Sequence, residues 1–426
     1  MRRTMDGLPG TGWGALAGLR VLDFSRALAA PYGTQLLADL GATVIKVESL
    51  EGDLTRPTGP FHPSDKERRH SGYFHSINRN KRSIAVDLKA EAGRQIIFDL
   101  LPEIDVVVEN FRAGVMEKLR LSYEELSARN PRLIYAALRG FGDPRTGESP
   151  YVNWPALDVV GQGMGGINSV TGPDENNPTK VGPGIGDTIP GMFMALGILA
   201  AVYSRQTTGK GQFLDVAMVD AILAISERIV YQRSFGKIIP GPVGNHQPMA
   251  APFGIFPAKD GHVAIAAPQQ PFFETLCKQL GAPELLEGHF RTADGRRQHR
   301  QELVDELSKV TTRFTKAELM ERLGGKIPFG PIYHIGDIAE DPHFAVREML
   351  PELELEGLSE PVSVAGVPIK LLGTPGGVHS PGPELGGDTR RILESLGYSE
   401  EKIAALAEAK TIGCNAGNGT NPVSLF

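Results

Sequence analysis

Short apolar runs alternate with amphipathic segments over the first 140 residues of the chain. Leu19–Ser25 and Ala42–Ser49 are apolar runs of strand length, and Pro31–Gly41 between them opens with proline and closes with glycine, as helices often do. Strands that alternate with helices in this way are typical of βαβ units. The pattern therefore predicts an α/β fold built on a largely parallel sheet. Further strands are expected in KRSIAVDL, DVVVEN and IYAAL, and further helices in EAGRQIIFDLLPEI and SYEELSARNPRL.

The pattern changes after Gly140, where a long polar loop precedes the next regular segment. A helix is expected from about Pro190, followed by a strand in GQFLDVAMVD and a long helix that ends near Gly236. The proline- and glycine-rich stretch 235–252 indicates a domain boundary. The segment FGIFPAKDGHVAIAA after it is typical of a β-hairpin that turns around Asp260. Helices are then expected from Pro271 to about Gly325, two more helices in DTRRILESLGYSEEKIAALAEAK, and a loose tail after them.

Length and composition restrict the class of protein. A chain of 426 residues is too long for one simple core and predicts two or three domains. A net charge of −6 argues against a general nucleic-acid-binding protein, which would be basic. The two cysteines, Cys277 and Cys414, form no CxxC pair and the histidines have no HxxxH or HExxH spacing, so we expect no disulfide framework, no metal site and a cytoplasmic location. The longest apolar run, Met192–Tyr203, is shorter than the about 20 residues of a membrane span, and MRRTMDGLPGTGWGALAG lacks the apolar core of a signal peptide.

One glycine motif is similar to a dinucleotide-binding fingerprint. Gly161–Gly166 reads GQGMGG, which matches GxGxxG, and the acidic Asp187 follows 21 residues on. A fingerprint must turn from a strand directly into a helix, whereas the segment INSVTGPDENNPTKVGPGIG that follows is rich in helix breakers. We therefore predict a tight glycine-rich turn here, and an NAD-dependent dehydrogenase is the least favoured function.

A single carboxylate, Asp187, stands between a glycine-rich approach and an almost entirely apolar helix. An acid just before an apolar helix is by default its N-cap. Pro190 weakens this interpretation, because proline prefers the first helical position, which would place the cap at Ile189 and leave Asp187 outside the helix. The alternative is a covalent nucleophile, since a carboxylate with an unperturbed pKa of about 3.9 is ionised at neutral pH. Gly184 and Gly186 would let the backbone approach a substrate closely. The residues alone leave both roles open.

Nine separated segments, in order, resemble the family III CoA-transferases of the CaiB/BaiF-like group. The resemblance runs from about residue 19 to residue 410. It implies a large Rossmann-like domain, a smaller α+β domain and a homodimer in which the two chains interlock. On this basis we place the large CoA-binding domain at 1–225, the linker and small domain at 226–345, and a C-terminal segment that returns to the large domain at 346–426. The segments are LRVLDFSRALAAPYGTQLLADLGATVIKVE, EGDLTR, INRNKRSIAVDLK, DVVVENFRAG, GDTIPGMFMALGILAA, TGKGQFLDVAM, APFGIFPAKDG, GPIYHIGDIAEDPHFAVREML and LGYSEEKIAAL.

The resemblance also implies a reaction. The nucleophile of the family lies in the GD pair before the apolar helix, which here is Asp187. Its carboxylate attacks an acyl-CoA thioester to give a mixed anhydride, the CoA thiolate converts this into an aspartyl-CoA thioester, and CoA then passes to an acceptor acid. CoA and acyl-CoA are therefore substrates, and no tightly bound cofactor is expected. By family analogy the donor is succinyl-CoA and the acceptor is a small carboxylic or dicarboxylic acid.

The same resemblance assigns CoA contacts to neutral residues and to cations, because CoA carries several phosphate charges that lysine and arginine neutralise. The neutral positions are Asn110, Phe111, the adenine-side Val86 and Met218, although the sequence by itself favours a core position for Met218. The cations are Lys89 and Lys118, with Lys81 and Arg82 as further candidates.

Candidates for binding the acceptor acid lie where strands end. Arg26 and Arg139 both follow strands at their carboxyl ends, where open α/β sheets place ligands, and a purely structural ion pair is the alternative for each. Leu28 stands where the formyl-CoA enzymes carry glutamine, so formate–oxalate exchange is not expected. Ser49 replaces an arginine that contacts a phosphate in those enzymes, and GNHQPMAAP replaces their tetraglycine lid.

The α-methylacyl-CoA racemases resemble the chain throughout and are the main alternative function. Racemisation requires a His–Asp pair that moves a proton at the α-carbon. The chain has Leu157 at the histidine position, directly before Asp158. Leucine cannot accept a proton, so a CoA-transferase is favoured.

Overall fold

The structure, a computed structural model, describes residues 12–414, so the start of the chain and nearly all of the predicted tail lie outside the described range. The strands are β1 (Arg20–Asp23), β2 (Thr43–Glu48), β3 (Arg82–Val86), β4 (Val106–Glu109), β5 (Ile134–Arg139), β6 (Phe213–Ala217), β7 (Phe253–Ala258), β8 (Gly261–Ala266), β9 (Phe329–Pro331), β10 (Glu352–Leu353), β11 (Val362–Ser363) and β12 (Ile412–Gly413). Seven strands form one sheet in the order β12-β3-β2-β1-β4-β5-β6. Every neighbouring pair is parallel except β12 and β3. The predicted α/β fold with a largely parallel sheet is confirmed.

The helices cover the sheet and build most of the rest of the chain. They are α1 (Ala29–Asp39), α2 (Gly72–Asn78), α3 (Glu91–Leu100), α4 (Val115–Lys118), α5 (Tyr123–Arg129), α6 (Asp158–Met164), α7 (Ile185–Thr208), α8 (Met218–Ile225), α9 (Glu227–Ser234), α10 (Gln270–Leu280), α11 (Ala293–Gln298), α12 (Arg300–Thr311), α13 (Lys316–Leu323), α14 (Ile335–Glu340), α15 (Pro342–Val346), α16 (Thr389–Ser395) and α17 (Glu400–Glu408). The one long helix predicted to end near Gly236 is in fact two, α8 and α9. The break falls at Ser226, whose hydroxyl donates back to the carbonyl of Ile222 at 2.8 Å.

Both faces of the seven-stranded sheet are buried, which explains why its strands read as continuous apolar runs. The register places valines side by side on one face and a mixture of leucine, isoleucine and valine on the other. One face packs under α1 and α7, and the opposite face packs under α3, α16 and α17. The paired residues are Val21, Val44 and Val106 on the first face and Leu22, Ile45 and Val107 on the second.

The strand order from β3 through β1 to β6 is that of a Rossmann fold, in which the direction of winding reverses between β1 and β4. Ligands of open α/β sheets bind in the crevice outside the carboxyl ends of the strands at this point. The loops that follow β1 and β4 begin with Phe24 and Asn110. These two loops are therefore where the fold itself predicts a binding site.

Helices α1 and α7 approach closely because glycines face each other where they cross. A Cβ atom built on Gly191 of α7 would lie 2.3 Å from the carbonyl oxygen of Ala29, and one built on Gly33 of α1 would lie 2.5 Å from the carbonyl oxygen of Gly191. Real Cβ atoms do not approach backbone oxygen so closely. The absence of side chains at both positions therefore sets the distance between the two helices.

We expect Gly191→Ala to destabilise the chain by about 1–3 kcal/mol, because the methyl group must push α1 and α7 apart. Gly163→Ala is the matched control, since Gly163 is also helical and a Cβ there would meet nothing within 4 Å. The control should be neutral or stabilising by about 0.5–1 kcal/mol. Urea unfolding of both variants measures the difference. Equal unfolding midpoints for the two alanine variants would show that the close approach of α1 and α7 does not affect stability.

The chain divides into two compact units. Within the described range, the first contains residues 12–166, 182–227 and 343–414, and the second contains 167–181 and 228–342. The first unit therefore breaks near 227 and resumes near 343, and residues 167–181 group with the second unit. The second unit contains the antiparallel sheet β7-β8-β9, and its β7–β8 hairpin turns at Lys259 and Asp260 as predicted. The functional division into three segments stays a prediction.

The C-terminal segment adds to the sheet of the first unit. Strand β12 pairs with β3, with Ile412 opposite Val86. Before it, Asp388 accepts a hydrogen bond from the amide of Ser83 at 3.0 Å, and the carbonyl of Pro383 accepts one from the Arg56 guanidinium at 2.9 Å. Residues at the end of the chain thus complete the edge of a sheet that residues at its start began.

Helix α7 is the one described helix whose length and composition would allow it to cross a membrane. It has 24 residues, twice the apolar run on which the sequence argument against a membrane span relied. One face of α7 packs on α1 and the sheet, as the core helix of an α/β domain does. The other face carries exposed apolar side chains, namely Met192, Phe193, Leu196 and Tyr203.

Candidate active site

Asp187 lies inside the first turn of α7, and both predicted positions for it were wrong. The helix begins at Ile185 with Gly184 as its N-cap residue, five residues before the predicted start at Pro190. The carbonyl of Gly184 accepts the amides of Asp187 at 3.1 Å and of Thr188 at 2.9 Å, which closes the first turn. Pro190 therefore sits one turn further inside the helix than its preference for the first position predicts. Asp187 is neither the N-cap nor outside the helix.

The cap that was expected of Asp187 is supplied by a different carboxylate. Oδ1 of Asp158, the first residue of α6, accepts a hydrogen bond from the amide of Gly186 at 2.8 Å. The amides of a first helical turn have no partner within the helix and require one from outside. Because Asp158 meets this requirement, the side chain of Asp187 does not have to fold back onto its own helix.

The electrostatic surroundings of Asp187 favour its neutral form. Burial of the half-buried side chain, and then the charge of Asp158, raise the pKa of the Asp187 carboxyl to about 7. The expectation of a fully ionised carboxylate at neutral pH is therefore wrong, because a pKa near 7 leaves about half of the molecules protonated there. A carboxylate with a raised pKa is also a stronger base, and hence a better nucleophile once it is ionised.

Asp187→Asn should stabilise the folded chain above neutral pH. The folded pKa of about 7 lies above the unfolded value near 3.9. Ionised Asp187 therefore lowers the free energy of unfolding. This loss grows as the pH rises from about 4 to about 7 and stays constant above that. Each pKa unit corresponds to about 1.4 kcal/mol, and partial exposure reduces the total to roughly 2 kcal/mol. Urea unfolding at about pH 8 should show this gain, with a much smaller gain at about pH 4.5. An equal gain at both pH values would contradict the raised pKa.

The loop after β1 brings Leu28 to the start of α7. Leu28 is half-buried, and a Cβ built on Gly184 would lie 3.0 Å from its Cδ2 atom. Ala27 before it has a φ of 62°, a left-handed conformation that costs a non-glycine residue energy. Gly184 is three residues before Asp187, so Leu28 lies close to the start of the helix that carries Asp187, and its influence on substrate choice stays a prediction.

Asn110 holds this loop through its side chain. Its Oδ1 accepts the amide of Arg26 at 2.9 Å, and its Nδ2 donates to the carbonyl of the same residue at 2.8 Å. This two-point contact joins the loops after β4 and β1 across the point where the sheet reverses its winding. The side chain predicted to contact CoA thus also fixes the backbone that carries Leu28. The guanidinium of Arg26 lies 3.5 Å from the hydroxyl of Ser49, the position of the arginine that the formyl-CoA enzymes carry.

Arg139 has a structural position rather than an open one. It is 7% exposed, its Nη2 contacts Glu109 Oε1 at 2.5 Å, and its Nε donates to the carbonyl of Phe111 at 3.1 Å. Its third nitrogen pairs with Asp143. Every nitrogen of the guanidinium therefore has a partner within the chain. The alternative of structural pairing, which the sequence left open, describes Arg139 better than contact with an acceptor acid.

The residues that the resemblance assigned to CoA fall into two groups. Lys89 and Lys118 are exposed and Phe111 is half-buried, so their side chains are accessible to a ligand. Val86 is 1% exposed and packs in the core beneath the sheet, and Met218 is likewise a core residue, as the sequence by itself favoured.

Of the two further cations, Lys81 is buried and cannot reach a phosphate. Its Nζ lies 3.1 Å from Asp23 Oδ2, 2.9 Å from the carbonyl of Pro31 and 2.9 Å from Asn78 Oδ1. All three donors of an ammonium group are thereby used. Arg82, the first residue of β3, is half-buried. The interpretation of Lys81 as a phosphate contact is wrong, because its buried ammonium group forms an ion pair with Asp23 of β1.

The glycine motif 161–166 is not a turn, as the sequence predicted, but the second half of α6 and its end. A Cβ built on Gly161 would lie 3.2 Å from the carbonyl oxygen of Gly186, and one on Gly165 would lie 2.5 Å from Cβ of Ile222. The glycines are therefore required for close helix packing. Leu157, just before the helix, is 70% exposed and offers no proton acceptor.

Two residues near Asp187 were not identified as site residues from the sequence. Asp158 was noted only as the neighbour of Leu157, although its spacing of four residues from Gln162 is a detectable helical pair. Tyr73, in α2, interacts with both acids: burial and then the charges of Asp187, Asp53 and Asp158 raise the pKa of its phenol. Tyr73 therefore keeps its proton at neutral pH and is a hydrogen-bond donor. Nothing in the local sequence connects Tyr73 with a helix more than a hundred residues later.

Known proteins resemble the chain over most of its length. Succinyl-CoA:mesaconate CoA-transferase from Haloarcula hispanica is 44% identical over 387 residues, covering 90% of this chain and 97% of the relative. Succinyl-CoA–D-citramalate CoA-transferase from Chloroflexus aurantiacus is 36% identical over 404 residues, covering 92% and 97%. The crystal structure of a CAIB/BAIF family protein from Brucella suis has 35% identity and a TM-score of 0.81, and it covers 90% of this chain and 100% of that one.

The agreement extends to a family description. The model of CoA-transferase family III matches residues 16–389, a span that includes the loops after β1 and β4 and the first turn of α7. A match over this much of the chain, together with relatives above 30% identity at nearly full coverage, decides the family. The chain belongs to CoA-transferase family III.

Proposed function

We propose that the chain transfers CoA from succinyl-CoA to a small dicarboxylic acid, with Asp187 as the covalent nucleophile. The observation that carries the proposal is the first turn of α7, where Asp158 supplies the cap and Asp187 is a half-buried carboxylate with a raised pKa. Relatives that are named CoA-transferases and act on succinyl-CoA support the donor. No tightly bound cofactor is required, because one thioester is exchanged for another.

The proposed reaction proceeds through two anhydrides and one thioester. Ionised Asp187 attacks the carbonyl of succinyl-CoA, and the C–S bond breaks to release CoA thiolate. The thiolate attacks the aspartyl carbonyl and expels succinate, which leaves an aspartyl-CoA thioester. The acceptor carboxylate attacks this thioester and releases CoA thiolate again, which then attacks the acceptor's carbonyl in the second anhydride. The new acyl-CoA departs and the carboxylate of Asp187 is restored, so charge and atoms balance.

We infer the class of the acceptor acid from the names of the relatives. We infer the residue that binds it from the candidate arginine that is not committed to a buried ion pair. Mesaconate and citramalate, which appear in the names of two relatives, are both dicarboxylic acids. A second carboxylate needs a cationic partner. With Arg139 committed to Glu109 and Asp143, we assign this contact to Arg26, which is half-buried in the loop after β1.

CoA itself is proposed to bind along the carboxyl ends of β1, β3 and β4. Asn110 and Phe111 follow β4, and the exposed Lys89 and Lys118 supply positive charge for phosphates. Val86, Met218 and Lys81 are omitted because their side chains are buried.

Oxygen-18 labelling tests the covalent route. In the proposed scheme the bridging oxygen of the second anhydride comes from the acceptor and stays on Asp187 when CoA thiolate attacks the acceptor's carbonyl. In a single turnover with succinyl-CoA, mesaconate labelled in both carboxyl groups should therefore add one oxygen-18 to the peptide that contains Asp187, and repeated turnover should add a second, as read by mass spectrometry. Unlabelled mesaconate in labelled water is the control. Transfer without label in Asp187 would refute the covalent role, and loss of an α-proton without an acceptor acid would indicate racemisation instead.

We further propose that two copies associate through the exposed face of α7. Met192, Leu196 and Tyr203 lie on one side of this helix with 48%, 62% and 74% of their surface exposed. Exposed apolar side chains grouped in this way are typical of protein interfaces. Sedimentation should give a dimer, and Leu196→Glu should weaken it. Gln206→Glu, which places the same charge at an exposed polar position of the same helix, is the matched control and should leave the dimer intact.

A stable, folded wild-type monomer at micromolar concentration would contradict the dimer. The cytoplasmic location expected from the sequence stays a prediction, which fractionation of the native host cells would test.

A further inference from the structure

We propose that Asp158 is the positioning residue of the nucleophile, because its side chain holds the amide of Gly186 and presents a second negative charge to Asp187. The inference rests on the proposed covalent role of Asp187. It assigns to Asp158 a task in the reaction without contact to substrate or CoA.

The side chain of Asp158 is itself fixed by hydrogen bonds. Oδ1 accepts the amide of Gly186 at 2.8 Å, and Nε2 of Gln162, one helical turn further along α6, donates to Oδ1 at 2.9 Å and to Oδ2 at 3.1 Å. A carboxylate that is held at both oxygens cannot rotate away from the amide without losing these bonds. The position of Gly186, and with it that of the next residue Asp187, is therefore tied to α6.

The backbones of α6 and α7 also touch at this point. A Cβ on Gly186 would lie 2.2 Å from the carbonyl oxygen of Asp158, and one on Gly161 would lie 3.2 Å from the carbonyl oxygen of Gly186. Such contact leaves no space for the first turn of α7 to shift toward α6. A displacement of about 1 Å at a nucleophile is enough to cost about 10²-fold in rate, so this rigidity has a catalytic consequence.

The charge of Asp158 acts on Asp187 independently of the hydrogen bond. The charge that, besides burial, raises the pKa of the Asp187 carboxyl is that of Asp158 in α6, and Asp187 in turn acts on Tyr73 of α2. Tyr73 is neutral near pH 7, so the fixed negative charge comes from Asp158. This charge opposes ionisation of Asp187 and strengthens it as a nucleophile once it is ionised.

Two substitutions separate the hydrogen bond from the charge. Asp158→Asn keeps an oxygen that accepts the Gly186 amide and removes the charge, whereas Asp158→Ala removes both. We expect Asp158→Ala to lose at least about 10-fold in kcat at every pH, because the cap is lost. Asp158→Asn should lose clearly less, and the acidic limb of its kcat/KM profile should move to lower pH by about one unit.

Asp260→Ala is the matched control for both variants. Asp260 also accepts a backbone amide through its side chain, that of Lys316 at 2.7 Å, but it belongs to the second unit. Its pH profile should coincide with that of the wild type. Circular dichroism and thermal melting show whether each variant is folded, and the asparagine variant, which is isosteric, tests the charge if the alanine variant does not fold.

Each outcome decides the matter. If both Asp158 variants keep the wild-type kcat, the positioning role is overturned. If the pH profile of Asp158→Asn superimposes on that of the wild type, the effect of the Asp158 charge on Asp187 is overturned. The covalent function stands in both cases. If the wild type transfers CoA without oxygen-18 entering Asp187, the proposed function fails and the inference falls with it. The labelling and the pH profile therefore distinguish the two failures.

Discussion

Asp187→Asn is expected to lower kcat/KM for CoA transfer by about 10⁴-fold or more, the range seen when the nucleophile of a covalent mechanism is removed. An amide cannot form the anhydride or the thioester on which the proposed route depends. Asp187→Ala should behave in the same way and cannot revert by deamidation. Steady-state assays with succinyl-CoA and mesaconate measure the loss.

The matched control for this variant is Asp220→Asn. Asp220 is an exposed acid in the first turn of α8, as Asp187 is an acid in the first turn of α7. Its replacement should leave turnover within about twofold of the wild type, since surface substitutions away from special features have small effects. Hydroxylamine should trap a hydroxamate at residue 187 in the wild type and in the control. Full activity of the Asp187 variants would contradict the covalent mechanism.

The second large effect is expected for stability. Arg139→Met should destabilise the chain by about 3–5 kcal/mol, because it leaves Glu109 buried with no guanidinium beside it. Burial raises the pKa of Glu109 to about 7 even with Arg139 present, so part of the cost will be relieved below neutral pH, where Glu109 takes up a proton. Asp143 keeps a partner in Arg145, at 3.0 Å, and contributes less to the cost.

Urea unfolding, with the exposed Arg112→Met as control, measures this loss, and the control should change by less than about 0.5 kcal/mol. The experiment also decides between the two roles that the sequence left open for Arg139. If Arg139→Met has wild-type stability but a raised KM for the acceptor acid, Arg139 binds the substrate. A destabilised variant, rescued in part by Glu109→Gln, would confirm the structural role.

The sheet could be predicted from the sequence because its signals are local. The buried strands β1, β2 and β4 read as short, mainly apolar runs that alternate with helical segments, which is enough for a parallel α/β fold. The hairpin between β7 and β8 was found for the same reason, since its turn residues adjoin its strands. The order of the strands was not readable, because strand pairing joins residues far apart in sequence.

The site was predictable only in part. Asp187 was identified because Pro190 weakens its interpretation as a helix cap and because separated segments of the chain resemble one family. The start of α7 was misplaced, since the group that caps it, Asp158, lies 28 residues earlier and on another helix. The sequence left the role of Arg139 open and proposed Lys81 only as a further phosphate contact, because their partners Glu109 and Asp23 come close to them only in the folded sheet.

The sequence by itself determined the strands of the parallel sheet and most of the helices between them, because apolar periodicity and helix-ending residues act over a few neighbours. It also determined the family and the residue with which chemistry is proposed to begin. Only the tertiary structure decided which charged side chains pair internally and which remain accessible to a ligand, and it paired Arg139 and Lys81 internally. It also buried Val86 in the core and made Asp158 the cap of α7. The physical reason is that an ion pair or a cap depends on distance in space, and distances between remote residues are fixed only when the chain is packed.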